Sequence, residues 1–493
     1  MIDVEETPVN PATAASLEAR FATERTGTVP LAWGQRAIWG AIRDVGPEGD
    51  HYYNVPRIVR LPRSWRIGPD AAVAAIGRLL ARHDALRSRL CLEERAGSSH
   101  TGSSHTGLSY AASPPADPLQ TVEARGAVAV EVAEAPLEGA GAVAEALRER
   151  LAGRRFSYAE DLPLRAGLVT GDGVVSHVVL VLCHLAADAF AADVVVRDLR
   201  LLLRGGAPPA PYQLMDLVAA QGGRAARGSA AALGYWAGHY RAIPHTMFSE
   251  VRGAPGSPRF QQAVIVSRAI DLAARTLAGR HGVSTATVLL TAVAALVSAV
   301  SGHRTVAVNP LVNNRFAPES RTLVTSLCQL GLFVLDAGAT GAATFDDLLA
   351  GTRHRALQAY RHARYDQAEW YRMVEEVSGE RGLPVFPGCC FNDQRAADPL
   401  GRDAPEDPRE AVAARAETLI RRPPGVERLN CGFCVHLVDD EGGVLGVSLT
   451  ADTVTMPPDL VDRFLYAVEA LVVGAATEGT PLSALPALVD GAP

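Results

Sequence analysis

Val178-Val-Leu-Val-Leu182-Cys183-His184-Leu-Ala-Ala-Asp188-Ala-Phe190 is the stretch on which the reading of this chain turns. Five apolar residues, Val178 through Leu182, predict a buried strand. Cys183 and His184 follow at once, and Asp188 stands four residues past the histidine. A strand that ends on a histidine, with the chain then turning back on an aspartate, is a common way to present an imidazole at a cleft. The aspartate can fix the turn or orient the ring, and the imidazole can take a proton from an attacking nucleophile. Such a His-x-x-x-Asp pair also arises by chance. Its weight comes from the segments around it.

A chain of 493 residues is too long for a single core and predicts two domains. Its 48% hydrophobic and 20% charged content fits an ordinary globular protein with a large interior. A net charge of -7 argues against nucleic acid or an anionic membrane as partner. The start, Met1 to Arg20, is acidic and lacks the apolar core of a secretory signal. No uninterrupted apolar run reaches the ~18 residues of a membrane span, so no membrane partner and a cytoplasmic location are expected. All 47 basic residues are arginine. Without lysine there is neither a P-loop nor a pyridoxal Schiff base.

The 7 cysteines (Cys91, Cys183, Cys328, Cys389, Cys390, Cys431 and Cys434) are odd in number and scattered, which fits reduced thiols better than a disulfide framework. Cys431-Gly-Phe-Cys434 has the spacing of half a zinc site, but no second half follows it. Cys431 to Leu437 alternates like a strand, so no metal is expected.

Alternating strand and helix patterns in both halves indicate two α/β lobes. Residues 1–27 read as a polar leader and 28–203 as an N-terminal lobe. Residues 204–240 read as a linker, a Gly/Pro-rich break at Arg204–Pro211 followed by helical pieces to about Tyr240, and 241–493 as a C-terminal lobe. The first lobe shows a strand over His51–Leu61, an amphipathic helix over Pro69–Arg89, and a strand over Ala127–Val132. A helix over Gly141–Leu151, the hairpin Leu164–Thr170 with Val174–Leu182, and a helix over Asp193–Leu203 complete it. Gly97 to Gly107 repeats Ser-Ser-His-Thr-Gly and reads as a polar loop tip rather than as ligands from His100 and His105. In the second lobe, strands are expected near Gln261–Val266, Thr305–Pro310, Gly388–Asn392, Cys431–Asp439 and Gly443–Ala451. Helices are expected near Asp271–Arg280, Ser284–Ser301, Thr344–Arg364 and Pro457–Val473. The charged, Pro-rich insert Arg395–Pro408 reads as a loop or flap.

Several segments together resemble one family. Leu31-Ala-Trp-Gly-Gln35-Arg-Ala-Ile-Trp39 is similar to its opening motif, and Arg82-His83-Asp84-Ala-Leu86-Arg87-Ser88 to its Arg-His-Glu motif. Phe156 through Asp161-Leu-Pro163-Leu164-Arg165, Tyr235-Trp236, Asn314-Arg315-Phe316 and Phe391-Asn392 follow in order. The chain resembles the condensation domain of nonribosomal peptide synthetases, within the His-x-x-x-Asp acyltransferases that include chloramphenicol acetyltransferase. The resemblance covers roughly residues 28 to 485. It implies an α/β fold of two chloramphenicol-acetyltransferase-like lobes arranged as a pseudo-dimeric V, with the active site and a through-channel between them.

Where the family has His-His-x-x-x-Asp-Gly, this chain has Cys183-His184 and Asp188-Ala189. The resemblance marks the second histidine as functional and the first as a packing residue, a place a cysteine can fill. Ala189 replaces a glycine, and its Cβ would crowd the turn if φ were positive. Gln329 stands where an asparagine is expected. By the same resemblance, His184 either accepts a proton from the nucleophile or holds it by a hydrogen bond. Asp188 pairs with an arginine, either Arg315 of the second lobe or Arg82 of the preceding helix. Asn392 holds or polarises the reacting centre, or is an ordinary strand-end asparagine.

The function so implied is that of a stand-alone condensation enzyme acting on a thioester borne by a peptidyl or acyl carrier protein supplied in trans. The nucleophile is a small-molecule amine first and an alcohol second. No cofactor is expected, because the phosphopantetheine arm belongs to the carrier. Two other readings stay open: an O-acyltransferase using acyl-CoA or an acyl carrier, and a non-catalytic recruitment module.

Overall fold

The computed structural model describes residues 15–92, 117–206, 208–209, 211–223, 225–338, 342–395, 404–405, 407–440 and 443–491. The repeat with His100 and His105 and most of the insert at 395–408 lie outside the described residues. Two compact units emerge. The first holds the described residues between 15 and 226 and, from far downstream, Asn313–Cys328. The second holds Arg227–Val312 and residues 329–491.

The apolar run before His184 is unbroken because its strand is covered on both faces. Val174–Leu182 pairs antiparallel with Leu164–Gly171 on one side and Val55–Arg60 on the other. Arg125–Glu134 and then Ala15–Ala22 complete the five-stranded sheet. Val178, Leu180 and Leu182 enter one core with Ile76, Leu79 and Leu80 of helix Pro69–Arg82 and Val195 and Leu199 of helix Ala189–Leu203. Val179, Val181 and Cys183 enter another with Val143 and Leu147 of helix Ala140–Ala152 and Ile42 of helix Trp33–Val45. A smaller sheet of Gly27–Pro30, Leu119–Val122 and Ser88–Cys91 stands beside it in the same unit.

The stretch read as a polar leader contains a strand. Ala15–Ala22 pairs with Arg125–Glu134 at the sheet's edge and buries only Ala19 and Phe21, so its outward face kept the segment polar. The proposed linker is helical over Leu214–Gln221 and Ala225–Tyr240, and Trp236 and Tyr240 are core residues of the second unit. The helix expected over Pro69–Arg89 stops at Arg82. There buried Asp84 takes Arg87 at 2.6 Å and Arg25 at 2.8 Å, and the chain turns into Ser88–Cys91.

The second unit is built on an eight-stranded sheet. Its main path runs Gln329–Leu330, Thr305–Val312, Cys389–Asp393, Phe433–Asp439, Leu445–Asp452, Phe260–Val266 and Leu419–Arg421, with Phe333–Asp336 also on Thr305–Val312. Phe391, Phe433, Val435, Leu449 and Ile265 pack with helices Arg268–His281, Thr285–Ser301 and Pro458–Thr477 in one core. Ser267 and Ser284 cap the first two of these helices. Among the described residues no single helix is long and apolar enough to cross a membrane.

Candidate active site

The strand Val174–Leu182 ends by locking its last residues to a neighbouring loop. Cys183 N donates to the Pro163 carbonyl at 3.0 Å, and the Cys183 carbonyl accepts from Ala186 N at 2.9 Å. This turn holds His184 half-buried while its neighbours on both sides are inside. Cys183 points into the core, where burial pushes its thiol up to about 12, so it stays neutral.

The His184 ring is oriented from a distant part of the chain. Ser326 Oγ lies 3.1 Å from Nδ1 across 142 residues of sequence. The Ser326 hydroxyl also donates to the carbonyl oxygen of His184 itself. A hydroxyl has one hydrogen, so its oxygen is left to accept from Nδ1–H. This arrangement favours the tautomer with its proton on Nδ1 and the lone pair on Nε2. Burial lowers the imidazole below its ordinary value of 6.5, outweighing the His184 carbonyl and the Asp188 charge, which act the other way. At neutral pH the ring is a neutral base with Nε2 as its acceptor.

Asp188 is an anchor. It caps helix Ala189–Leu203, its Oδ1 accepting from Ala191 N at 2.8 Å. The same Oδ1 accepts from Arg315 Nη2 at 2.8 Å, and Oδ2 accepts from Leu327 N at 2.9 Å and from the Cys328 thiol at 3.5 Å. Arg315 also donates to the carbonyls of Ser320, Leu323 and Thr325 at 2.8, 2.7 and 3.0 Å. One carboxylate and one guanidinium thus fold the 313–328 segment against the histidine turn and set Ser326 beside His184. Asn314 has φ 54°, a left-handed conformation that asparagine tolerates better than most residues.

The segment Leu31–Trp39 completes the cradle. Gln35 Nε2 donates to the Leu185 carbonyl at 3.1 Å, and its Oε1 accepts from Ala32 N at 2.9 Å. Gly34 packs directly against the serine segment. A Cβ there would lie 2.5 Å from the Ser326 carbonyl oxygen and 2.7 Å from Leu327 Cα, both backbone atoms. Gly34→Ala is therefore expected to cost about 1–3 kcal/mol by overpacking and to push Ser326 off Nδ1. Denaturation reads the first effect, and the ring-nitrogen NMR shifts of His184 read the second. Ser326→Ala, which removes only the hydroxyl, is expected to cost about 1 kcal/mol of transition-state stabilisation, roughly fivefold in turnover. Steady-state kinetics check it.

The remaining sequence candidates fall elsewhere. Of the two arginines considered for Asp188, the structure brings Arg315. Arg82 pairs with Asp198 at 2.7 Å, where His83 also meets the same carboxylate at 3.1 Å. Ala189 does not crowd its turn. It is absent from the positive-φ residues and is exposed at the first position of its helix, so a Cβ is accommodated. Its carbonyl accepts from Arg57 at 2.9 Å. Asn392 lies in the second unit, where its amide faces His436 Nδ1 at 3.4 Å and Gln394 faces the same nitrogen at 3.0 Å. Gln329 is buried and donates to the Tyr365 carbonyl at 2.9 Å.

Comparison with known proteins places the family and the fold. The condensation domain model matches residues 109–386, more than half of the 493-residue chain. The chain belongs to the condensation-domain family. It is 28% identical over 374 residues to CymA of Salinispora arenicola, described as a probable non-canonical nonribosomal peptide synthetase. That match covers 72% of this chain and 4% of CymA, so this chain spans a small part of that relative. Among solved structures, SgcC5 of Streptomyces globisporus, in complex with a naphthyl-ethanediol and sucrose, superposes with a TM-score of 0.64 at 18% identity. The match covers 91% of this chain and 98% of SgcC5. The structure describing condensation domain-mediated chain release from the enacyloxin polyketide synthase gives 0.65 at 20% identity, over 94% and 82% of the two chains.

Proposed function

We propose that this chain transfers an acyl group from a thioester on the phosphopantetheine arm of a peptidyl or acyl carrier protein to an amine, with an alcohol as the second choice of nucleophile. The observation that carries the reading is His184 held at Nδ1 by Ser326, with burial lowering its imidazole below 6.5 so that a neutral ring can offer Nε2 as an acceptor. In the reaction, the amine nitrogen attacks the thioester carbonyl carbon while Nε2 takes the amine's proton. The C–S bond then breaks, and the carrier's thiolate takes that proton from the imidazolium. The products are an amide and a free carrier thiol, and an alcohol gives an ester by the same steps. No further cofactor enters this scheme.

The other sequence reading, a recruitment module without catalysis, has no use for a base held in one tautomer. The diol in the SgcC5 complex suggests a diol as the alcohol arm of the test. The test incubates the chain with acyl-loaded carrier and separate panels of amines and alcohols, followed by mass spectrometry. New amide or ester with matching release of carrier thiol is expected. Intact loaded carrier in every combination would reject the reading.

The pH dependence has a definite sign. A base whose pKa is lowered stays neutral and active down to below pH 6.5, and activity is lost as pH falls through the folded value. The acid limb of kcat/KM is expected below 6.5, and a midpoint above 7 would contradict His184 as the base.

A further inference from the structure

Strand pairing assembles a thiol cluster that spacing along the chain conceals. In the parallel pairing of Cys389–Asp393 with Phe433–Asp439, Cys390 lies directly opposite Cys434. Cys431 precedes Cys434 by three residues, and the Sγ atoms of Cys390, Cys431 and Cys434 all lie within 4.8 Å of one another. Among the described residues no other group of three or more His, Cys, Asp or Glu side chains has this closeness. Cys431 and Cys434 are buried and Cys390 half-buried. In this structure the Cys431 and Cys434 sulfurs are joined as a disulfide, with their Cα atoms 6.2 Å apart.

We propose that in the reduced chain Cys390, Cys431 and Cys434 form a three-thiolate site for one Zn²⁺. The ligand chemistry narrows the ion: thiolates suit soft or borderline ions, Zn²⁺ and Cu⁺ among them, and fail to hold Mg²⁺ or Ca²⁺. With Zn–S bonds of about 2.3 Å, tetrahedral sulfurs stand ~3.8 Å apart, inside the observed limit. Cys431-Gly-Phe-Cys434 supplies a two-sulfur bite, with Phe433 between them turned into the core. Cys390 supplies the third sulfur from the adjacent strand, and the fourth position goes to water or another small ligand.

Loading takes two balanced steps. A thiol or phosphine reductant opens the Cys431–Cys434 disulfide, giving two thiols and the oxidised reductant. Zn²⁺ then replaces three thiol protons, which go to solvent. The ion clips two neighbouring strands together. Two residues further along the same strands, Asn392 stands opposite His436. The clip therefore fixes the register beneath Asn392, read from the sequence as a group at the reacting centre or an ordinary strand-end asparagine. The site stands whether or not the proposed acyl transfer does, because its readout is metal.

The experiment uses the untagged full chain, reduced with a phosphine, desalted without oxygen, and given Zn²⁺ alone. Native mass spectrometry is expected to show one zinc per chain. Zn²⁺ is expected to slow alkylation of Cys390, Cys431 and Cys434 while leaving that of exposed Cys91 unchanged. Cys390→Ser and Cys431→Ser should each weaken binding by more than the roughly 10–100-fold that loss of an outer-shell partner costs, with Cys91→Ser as the control. A reduced wild-type chain that retains no zinc overturns the proposal. So does equal binding by Cys390→Ser, which would leave only a two-thiol chelate. The alkylation pattern decides the matter on the wild-type chain should a variant fail to fold.

Discussion

His184→Ala is expected to lower turnover by about two to four orders of magnitude, the usual worth of a positioned general base. The loss falls on kcat and kcat/KM together, because the imidazole acts as the proton moves and contributes little to ground-state binding. Folding should survive. The ring is half-buried, and its Nδ1 contact with Ser326 is one of several ties, since the loop is also held by Asp188 and Gln35. Cys183→Ala makes the contrast. That side chain lies in the core beside a cavity of about 20 Å³ bounded by Gln35, Gln120, Tyr158 and Leu185. Removing its sulfur should cost about 1 kcal/mol of stability and leave turnover close to wild type. Rates with loaded carrier, on variants whose circular dichroism matches wild type, check both. Wild-type turnover in a folded His184→Ala protein would remove His184 from the chemistry.

Much of the first unit was legible because its signals are local. The run at 178–182 announces a strand buried on both sides, and His184 and Asp188 follow within six residues of its end. Helix Ala189–Leu203 begins four residues before the apolar pattern suggests, because Asp188 is its cap as well as a motif residue. Helix Gln367–Arg381 was not anticipated. Its buried Trp370, Met373, Val374 and Val377 stand at i, i+3, i+4 and i+7, the spacing of an amphipathic helix, so the signal lay in the sequence and went unread among the flanking charges.

What the sequence hid is contact at a distance. Ser326 carries no motif of its own, and its role comes from Arg315 drawing its segment back to the histidine turn. Gly34 reads as one more small residue until the backbone of Ser326 is found against it. The concern over Ala189 rested on a backbone angle that no residue type reveals. Cys390 joined Cys431 and Cys434 only through strand register.

Asp188→Asn is expected to destabilise the first unit by about 3–5 kcal/mol, the cost of leaving one partner of a buried ion pair uncompensated. Asp188 and Arg315 are 1% and 5% exposed, so water cannot take over either role. Asparagine is nearly the same shape, which isolates charge and acceptor count from packing. The native carboxylate accepts on both oxygens, from Ala191 N and Arg315 at Oδ1 and from Leu327 N and Cys328 at Oδ2. An amide has one acceptor oxygen, so its NH₂ must face donors on one side. Arg315→Met removes the guanidinium and should cost a similar amount, because the carboxylate then stays buried with two backbone N–H partners. It also frees three carbonyls of the 313–328 segment. The double variant leaves no buried charge, so its loss should be smaller than the sum of the single losses by more than about 1 kcal/mol, the signature of direct coupling. Activity should fall in all three, since Ser326 leaves Nδ1 once its segment is released, and Ser326→Ala in the Asp188→Asn background should then add nothing. Urea unfolding of the four proteins measures the cycle. An Asp188→Asn protein within 1 kcal/mol of wild type, or strictly additive losses, would show that the pair does not hold the histidine turn.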